Sequence, residues 1–458
     1  MNTRIQQRAV LLATSISYVV VILDTSIVNV ALAPIATSLA SGLSGLQWVV
    51  NAYTLTFASL LLSGGTLGDR VGARNVYIAG LAIFTGASAL CGIASGLAML
   101  IGARIAQGIG AALLVPASLA LINRACPHPR ERAAAFGVWA ALGGLAMAAG
   151  PLIGGVLIGL IGWRSIFLLN VPVCLAGIVL ALRVDTQVSA TASRRFDIAG
   201  QIAAIATLAL LNITVIELPA YGWSAPIIVA GFAATLAAGC AFVAIETRRS
   251  QPMLPIVLFR HAGFSSAIFV SMVSAFAFYG LMFDLSLYFQ HQRGDTPMQT
   301  GLAFLPLTVV VPIGSLLSKR AVSWLGPGRL VAGACMLAAL GYIGLWVIVG
   351  RFPSLPFALA LPAIGVAASL ITPATTATLM ASVDSSRSGI AAAVLNAARQ
   401  TGAVLGVAIS GSMIAIAHSI AGGMRGGLLL SGALSIAAGV FWWLASIPTQ
   451  AIRNQTSG

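Results

Sequence analysis

The sequence predicts an all-α, polytopic membrane protein with fourteen transmembrane helices, and three observations lead to this prediction. Of the 458 residues, 59% are hydrophobic and only 7% are charged, a composition that excludes an ordinary soluble domain. Apolar windows of about 20 residues, long enough to cross a hydrocarbon layer of about 30 Å, recur along the whole chain. Basic residues cluster between these windows, so the formal net charge of +14 indicates membrane topology and not nucleic-acid binding.

Glycine, proline and charge clusters interrupt the apolar windows and set the predicted helix boundaries. The fourteen predicted spans are residues 9–36, 46–67, 76–95, 98–122, 134–160, 163–182, 197–217, 225–246, 264–290, 300–318, 328–349, 355–381, 389–416 and 427–448.

The distribution of basic residues predicts the orientation of these spans. With the N-terminus in the cytoplasm, 18 of the 24 lysines and arginines fall in cytoplasmic segments, and only Arg164, Arg293, Arg351 and Arg425 fall in outer ones. A missed or additional span would reverse this bias for all later loops. We therefore expect a multi-pass protein of the cell membrane with both termini in the cytoplasm.

Two long polar connections, residues 183–196 and 247–263, flank spans seven and eight. They predict a six-helix bundle in residues 1–185, two accessory helices in residues 186–262 and a second six-helix bundle in residues 263–458. The bundles echo each other weakly, since a basic loop follows both the second and the tenth span. Internal repeats of this kind are typical of transporters whose binding site lies between the repeats at mid-membrane.

Span one carries a carboxylate, Asp24, well inside its apolar stretch. A charged side chain at that depth costs roughly 2.5–3.5 kcal/mol on insertion scales, so Asp24 is a candidate site for a proton or a substrate. Thr25, Ser26 and Asn29 share a polar ridge of the predicted helix, with Asp24 to one side of it. Asn29 is therefore a second candidate, and span one is expected to contact more than lipid.

Span four contains a fixed positive charge, Arg104, which needs a carboxylate, carbonyl groups or water as its partner. One interpretation is a functional charge that acts on a nearby acid. Because Arg104 lies near the outer end of the span, a second interpretation stays open, in which the side chain extends to the membrane surface.

Span nine contains a second buried acid, Asp284, with Tyr288 one turn further on and several other aromatic residues nearby. An acid among aromatic rings suits a lipophilic cation, by charge pairing and cation–π contact. We expect Asp284 and Tyr288 to bind protons or substrate. Ordinary packing, or a structural ion pair between Asp284 and Arg399, is the alternative.

The connection between spans two and three combines glycines with charges of both signs. Glycines permit a tight turn between closely packed helices, and a carboxylate among arginines can form a charge-assisted latch at the cytoplasmic mouth. An ordinary loop whose arginines only set topology is the alternative. The candidate gate residues are Gly65, Gly68, Asp69, Arg70, Gly72 and Arg74.

Span five contains a group of small residues around a proline. Gly150, Gly154 and Gly155 provide faces for close helix contact, and Pro151 favours a bend. Generic helix packing explains these residues as well as a functional role does.

Several of these stretches resemble motifs of the major facilitator superfamily. Residues 65–74 are similar to the family's loop between the second and third helices, with Ala73 where a basic residue is common. The stretch that begins at Arg104 resembles the fourth-helix motif, which is implicated in proton coupling in that family. Residues 146–155 resemble the fifth-helix motif of exporters, with Ala146 in place of its first glycine.

Two further stretches, residues 23–32 and 163–172, resemble the fourteen-span drug/proton antiporter branch of the same family, although Ala33 stands where that branch has proline. The resemblance implies a major facilitator fold, with two six-helix halves around a central cavity. It also implies proton-coupled export of lipophilic, often cationic, drugs or toxic compounds by alternating access across the bacterial plasma membrane. In that cycle Asp24 and Asp284 bind substrate when deprotonated and release it when protonated from outside.

Other functions are weighed against this expectation. A dedicated exporter of one endogenous antibiotic, siderophore or lipid is the alternative within the class. A channel or a non-transporting receptor would need a filter loop or a signalling domain, and the sequence indicates neither. The absence of a nucleophile–base or metal-ligand pattern disfavours an enzyme. The expected partners are small lipophilic molecules, protons and the lipid bilayer, with no cofactor and no nucleic acid, and the chain is expected to act as a monomer.

Overall fold

Helices make up the regular secondary structure of the protein, as expected where backbone polar groups lie in lipid and need internal partners. The computed structural model describes residues 3–126, 128–183, 197–249, 254, 256–351, 355–383 and 388–455. Within these ranges every regular element is helical, which confirms the all-α fold class.

The N-terminal half consists of six long helices, the sixth of which has a short break. These helices are α1 (Thr3–Ser38), α2 (Leu43–Val71), α3 (Ala73–Gly92), α4 (Leu97–Ala125), α5 (Pro129–Ile161), α6 (Ser165–Leu168) and α7 (Asn170–Leu182). Leu169 separates α6 from α7 with helical backbone angles, so the two form one nearly continuous rod.

Two further helices, α8 (Ile198–Tyr221) and α9 (Pro226–Arg248), follow. A 3₁₀ turn (Ile256–Arg260) leads into α10 (Ala262–Leu287), and a π-helical turn (Tyr288–Gln292) ends it. The remaining helices are α11 (Pro297–Ala303), α12 (Leu305–Thr308), α13 (Val310–Ile348), α14 (Leu355–Ala381), α15 (Ser388–Ala417) and α16 (Ile420–Gln455).

The exact count of fourteen spans is not confirmed. Among the described residues, twelve helices are long and apolar enough to cross a membrane, or thirteen if the two bent parts of α2 form one span. The predicted spans 300–318 and 328–349 fall in one continuous run of 52 residues, Pro297–Ile348. Gly326 interrupts that run with φ 72° and ψ 156°, which lie outside the helical region.

Two large apolar clusters hold the described helices together, beside a small third one at Val215, Ile216 and Ala408. One of the large clusters lies within the N-terminal half and includes Tyr53, Phe57 and Phe84. The larger joins the distal part of α1, from Ile27 to Ile35, to buried residues of α10, α13, α14 and α15. The two halves therefore pack on each other beside the part of α1 that is remote from the N-terminus.

Helix α8 forms hydrogen bonds with both α2 and α15. On one side, Asn51 of α2 donates to the side-chain oxygen of Asn212 at 3.2 Å. On the other, the Ser412 hydroxyl of α15 donates to the Val215 carbonyl at 2.6 Å. Helix α9 packs on α8 and is otherwise largely exposed, as for Leu236, which is 69% exposed. Such apolar side chains suit contact with lipid.

Candidate functional site

The strongest polar feature of the membrane-spanning region is an ion pair between α1 and α4. Asp24 is 0% exposed and Arg104 is 1% exposed, and Nη1 of Arg104 donates to Oδ2 of Asp24. Nε of Arg104 donates to the Val49 carbonyl of α2 at 3.0 Å. The guanidinium also lies over the ring of Tyr53, 4.4 Å from its centroid. Arg104 thus points into the N-terminal half, and the interpretation that it extends to the membrane surface is wrong.

Three further side chains complete the hydrogen bonds of this pair. Oδ1 of Asp24 accepts from Asn170 of α7 at 3.1 Å and from Gln107 of α4 at 3.3 Å. Gln107 also accepts from Arg104 at 2.9 Å and donates to the Ser88 hydroxyl of α3 at 2.8 Å. A buried ion pair recovers its desolvation cost only when its remaining polar atoms have partners, and here both oxygens of Asp24 and Nε of Arg104 have them. The network joins α1, α2, α3, α4 and α7.

Sequence reasoning missed these supporting residues for different reasons. Gln107 and Asn170 lie inside the stretches that resemble family motifs, so their positions carried a signal that was not assigned to them. Ser88 carried none, because a serine in an apolar span is usually a packing residue that bonds to its own helix.

The polar ridge of α1 is satisfied within the helix itself. The Asn29 amide donates to the Thr25 carbonyl at 3.0 Å, and the Thr25 hydroxyl donates to the Ile22 carbonyl at 2.7 Å. Backbone carbonyls of the same stretch accept hydrogen bonds from the C-terminal half. Ser286 of α10 donates to the carbonyl of Asn29, and Gln290 donates to that of Val30 at 3.0 Å.

The contact at Asn29 lies only five residues beyond Asp24, so α1 links two features. Its Asp24 side chain belongs to the buried ion-pair network, and its next turns form part of the contact between the two halves. A displacement of α1 at Asp24 would be transmitted to the contact at Asn29, because the helix between these residues is continuous.

The glycines of α5 serve two different contacts. A Cβ on Gly150 would collide with the Ser26 hydroxyl, and a Cβ on Gly154 would lie 2.7 Å from Cγ1 of Ile27. Both contacts are with α1, inside the N-terminal half.

A second pair of glycines holds α5 close to the C-terminal half. A Cβ on Gly155 would lie 2.6 Å from the carbonyl oxygen of Pro297, at the start of α11. From the other side, a Cβ on Gly301 would collide with the carbonyl oxygen of Pro151. The exporter-like stretch therefore forms part of the interface between the halves, in addition to ordinary packing within one of them.

Asp284 is buried inside the C-terminal half and does not lie at this interface. Its Oδ2 faces Gly427 of α16, where an added Cβ would lie 3.1 Å away, and the Ser410 hydroxyl of α15 borders the same position at 3.6 Å. Its Oδ1 has no hydrogen-bond partner in the described part of the chain. The alternative of an ion pair with Arg399 is not observed, because Arg399 bonds instead to Thr376 and to the carbonyl of Thr372.

Tyr288, one turn after Asp284, contacts Gly350 and Phe357. Its hydroxyl accepts from the backbone N–H of Gly350 at 3.3 Å, and its ring lies 5.6 Å from that of Phe357. No hydrogen bond joins it to Asp284 among the described residues, so the structure does not bring the two predicted partners into one site.

The candidate gate loop turns sharply at Gly72, whose φ of 95° favours glycine. The close helix contact expected at Gly65 and Gly68 lies instead at Gly64, where a Cβ would collide with the Ala112 carbonyl. Asp69 is exposed and forms no ion pair with another described residue.

The arginines of this loop differ in their surroundings. Arg70 is exposed. Arg74 donates from Nε to the Ala181 carbonyl at 3.0 Å and from Nη2 to the Leu182 carbonyl at 2.6 Å. A cation at the C-terminal end of α7 is favourable, because the unpaired carbonyls there carry partial negative charge.

Many apolar helices around a buried ion pair indicate a polytopic membrane protein. The chain belongs to the Major Facilitator Superfamily, whose family model matches residues 14–407. It is therefore a transporter and not an enzyme, and its many apolar helices place it in a membrane as a multi-pass protein.

Similar curated proteins are named for drug resistance. The chain is 38% identical to the methylenomycin A resistance protein of Bacillus subtilis over 440 residues, which cover 95% of this chain and 94% of that one. It is 36% identical to the methylenomycin A resistance protein of Streptomyces coelicolor over 88% of this chain and 84% of the relative. It is 40% identical to the multidrug resistance protein Stp of Mycobacterium tuberculosis over 89% of this chain and 76% of the relative.

Solved structures share the fold. A POT family transporter in complex with a thioalcohol-conjugated peptide aligns with a TM-score of 0.75 at 13% identity, covering 96% of each chain. A bacterial homologue of the human lysosomal transporter Spinster aligns with a TM-score of 0.66 at 18% identity, covering 96% of this chain and 97% of that one. Together with the family match, these alignments confirm the predicted major facilitator fold.

Proposed function

We propose that this chain is a proton-coupled antiporter that exports lipophilic drugs or toxic compounds across the bacterial plasma membrane by alternating access. The observation that carries the proposal is the Asp24–Arg104 pair, a buried ion pair whose carboxylate accepts three hydrogen bonds and which lies five residues from the contact between the halves. The resistance and efflux names of the similar proteins support the export of drugs. The proposed substrates are small molecules, and a single chain suffices for the proposed cycle.

We propose fourteen spans for the topology, with both termini in the cytoplasm. A straight helix of 52 residues would be about 78 Å long, more than twice the hydrocarbon thickness of about 30 Å. The backbone break at Gly326 supports dividing that run into two spans. With α2 taken as one bent span, the total becomes fourteen, and the proposed bundles are residues 1–185 and 263–458 on either side of an accessory pair, 186–262.

The contacts between the halves support a state that is closed at the end remote from the termini. Gln47 of α2 donates to the Ala408 carbonyl of α15 at 2.8 Å, and the Ser286 contact to α1 lies at the same end. If the termini are cytoplasmic, the closed end is the outer one. The exposed carboxylate of Asp69 fits this state, since the latch proposed for the gate loop would form only when the cytoplasmic end closes.

Protonation of Asp24 is the proposed coupling step. A proton on the carboxylate removes the counter-charge of Arg104, and an unpaired buried charge is strongly unfavourable. The network must then rearrange, and α1 carries the change to the carbonyls that bond Ser286 and Gln290. One charge moved through 100 mV provides about 2.3 kcal/mol, enough to concentrate a neutral substrate roughly 50-fold.

A resistance panel in an efflux-deficient bacterial host tests the proposal. Cells expressing the chain should tolerate several lipophilic compounds better than cells with an empty vector, and an uncoupler should abolish dye efflux. Resistance to no compound, or efflux that survives the uncoupler, would contradict it. Resistance confined to one compound would favour a dedicated exporter, the alternative suggested by relatives that are named for a single antibiotic.

A further inference from the structure

A groove runs between α13 and α16 on the surface of the C-terminal half. Its volume is about 350 Å³, near the lower end of the range of about 300–1,000 Å³ for small-molecule sites. On α13 the lining includes Arg329, Gly333 and Met336, which share one helix face at spacings of four and three residues. On α16 it includes Val440 and Trp443. The groove is therefore formed by two long helices and not by a loop.

Two glycines shape this groove. A Cβ on Gly439 of α16 would lie 3.0 Å from Cβ of Cys335, so the two helices approach each other closely there. A Cβ on Gly333 of α13 would have no atom within 4 Å, so the helix surface is recessed at that point. The groove thus has a floor where the helices touch and room for a ligand beside Gly333.

The walls of the groove are apolar and exposed. Met336, Val440 and Leu444 line it and are 38%, 49% and 59% exposed. All three belong to helices that are apolar enough to cross a membrane. Exposed apolar side chains on such helices face the acyl chains of lipids and not water. A hydrocarbon chain is therefore the occupant that matches these walls.

One end of the groove carries a positive charge. Arg329 lies three residues after the break at Gly326, is exposed, and forms no ion pair with another described residue. On the other helix, Nε1 of Trp442 donates to the Pro327 carbonyl at 3.2 Å, which places this part of α16 beside the start of the groove. The neighbouring Trp443 is of a residue type that concentrates at the headgroup level of membranes. This end of the groove therefore has the features of a membrane–water interface.

We propose that the groove binds an anionic phospholipid of the cytoplasmic leaflet, with one acyl chain between α13 and α16 and the phosphate against the Arg329 guanidinium. A guanidinium donates two parallel charge-assisted hydrogen bonds to phosphate oxygens, and the apolar walls favour the chain. Basic residues on the cytoplasmic side of a membrane also attract anionic lipids. A zwitterionic lipid carries its own ammonium group, which offsets the phosphate charge and weakens the attraction to Arg329.

The bound lipid is a partner in addition to any exported compound, so the proposal goes beyond the proposed export function. Only the choice of leaflet rests on the proposed topology, in which the connection around Gly326 faces the cytoplasm. A free phosphate ion would meet the same guanidinium but would leave the apolar walls without a matching ligand. The combination of charge and walls therefore favours a lipid.

Native mass spectrometry of the purified protein in a non-ionic detergent tests the proposal. Dioleoyl phosphatidylglycerol is compared with dioleoyl phosphatidylcholine, which has the same acyl chains and no net charge. The wild-type protein should bind phosphatidylglycerol about tenfold more tightly than phosphatidylcholine at its strongest site. Arg329→Gln should remove this preference. Gly333→Leu, which fills the recess, should weaken phosphatidylglycerol binding by a similar factor.

Each variant has a matched control. Arg320→Gln removes an equal charge nine residues earlier in α13, at an exposed side chain that does not line the groove. Gly159→Leu adds equal bulk to α5 at a position where an added Cβ has no atom within 4 Å. Both controls should bind phosphatidylglycerol within about twofold of wild type. Thermal unfolding in the same detergent checks that every variant is folded, and Arg329→Gln, at an exposed side chain, decides the result if Gly333→Leu is not.

Four results would overturn the proposal. Equal affinity of the wild type for both lipids would show that charge is not selected. Equal loss in Arg320→Gln and Arg329→Gln would assign the preference to the overall charge of this surface. Binding that is unchanged in both Arg329→Gln and Gly333→Leu would place the lipid elsewhere. Competition by soluble glycerophosphoglycerol, which has the headgroup without acyl chains, would indicate a phosphate site and not a lipid site. None of these results bears on drug export, which the resistance panel tests separately.

Discussion

Arg104 and Asp24 are 80 positions apart in sequence and form an ion pair from which solvent is excluded. The carboxylate accepts from three side chains on two helices, α4 and α7, so its charge is held in one place. A carboxylate that binds substrate directly would be open to it. Asp24 is not open in this conformation. We propose instead that Asp24 takes up a proton, and that the loss of its charge changes the packing of α1.

The first prediction concerns neutralisation of this pair. Asp24→Asn leaves the buried Arg104 without a counter-charge, so we expect the free energy of unfolding to fall by about 3–5 kcal/mol. We also expect the variant to lose transport of every substrate. The midpoint of thermal unfolding in detergent and the efflux of one neutral and one charged dye are the measurements.

The double variant Asp24→Asn/Arg104→Gln separates stability from coupling. Because it buries no unpaired charge, it should recover most of the lost stability while transport driven by a proton gradient stays absent. A double variant as unstable as the single one would mean that packing, and not the unpaired charge, causes the loss.

The second prediction concerns the glycines of α5. Gly155→Ala places a methyl group 2.6 Å from the Pro297 carbonyl oxygen, so the closed contact between the halves should weaken by about 1–3 kcal/mol. A cysteine at Ser286, buried at the same interface, should then react faster with a membrane-impermeant maleimide from outside, in a background without the native cysteines.

Gly159→Ala is the control for this measurement, since nothing lies within 4 Å of an added Cβ there. Its labelling rate should equal that of the parent. If both variants label at the parent rate, the close approach of α5 and α11 does not determine the closed state.

Sequence and structure agree on the fold and on most of the ion-pair site, for identifiable reasons. An acid and a base inside apolar helices each need a partner, so depth alone made Asp24 and Arg104 candidates, but the sequence did not pair them with each other. Asp284 obeys the same rule, and the structure places it inside the C-terminal half. Helical position shows which residues share a face, and it does not show whether that face meets the other half or its own bundle.

The number of spans was harder to predict from the sequence. The Gly326 break, which decides whether one or two spans lie between residues 297 and 348, depends on a backbone conformation that glycine permits but does not require.

The third prediction concerns Asp284. A site for lipophilic cations at Asp284, as its aromatic neighbours suggested, would make Asp284→Asn lose cationic substrates selectively. Because the carboxyl faces Ser410 and Gly427 inside the C-terminal half, we now expect the ratio of cationic to neutral dye efflux to stay within about twofold of wild type. Efflux of a matched dye pair from vesicles at equal protein level is the measurement. A selective loss of the cation would show that Asp284 reaches the substrate in another conformation.

The fourth prediction concerns topology. Reporter tags placed at Arg194, at Arg248 and after Gly458 should all lie in the cytoplasm, because the positive-inside bias places eighteen basic residues on that side. Protease or fusion-reporter accessibility in intact cells is the measurement. A tag after Gly458 on the outer side alone would require an odd number of spans and contradict the division at Gly326.

Proton movement coupled to substrate tests the central claim most directly. Proteoliposomes containing the wild-type protein are loaded with a pH-sensitive dye, and an exported compound from the resistance panel is added without an imposed pH gradient. We expect a substrate-dependent proton flux, opposite in direction to the substrate, that is present in the wild type and absent in both Asp24→Asn and Asp24→Asn/Arg104→Gln. Substrate transport without proton flux in the wild type, or an unchanged proton flux in the double variant, would contradict it.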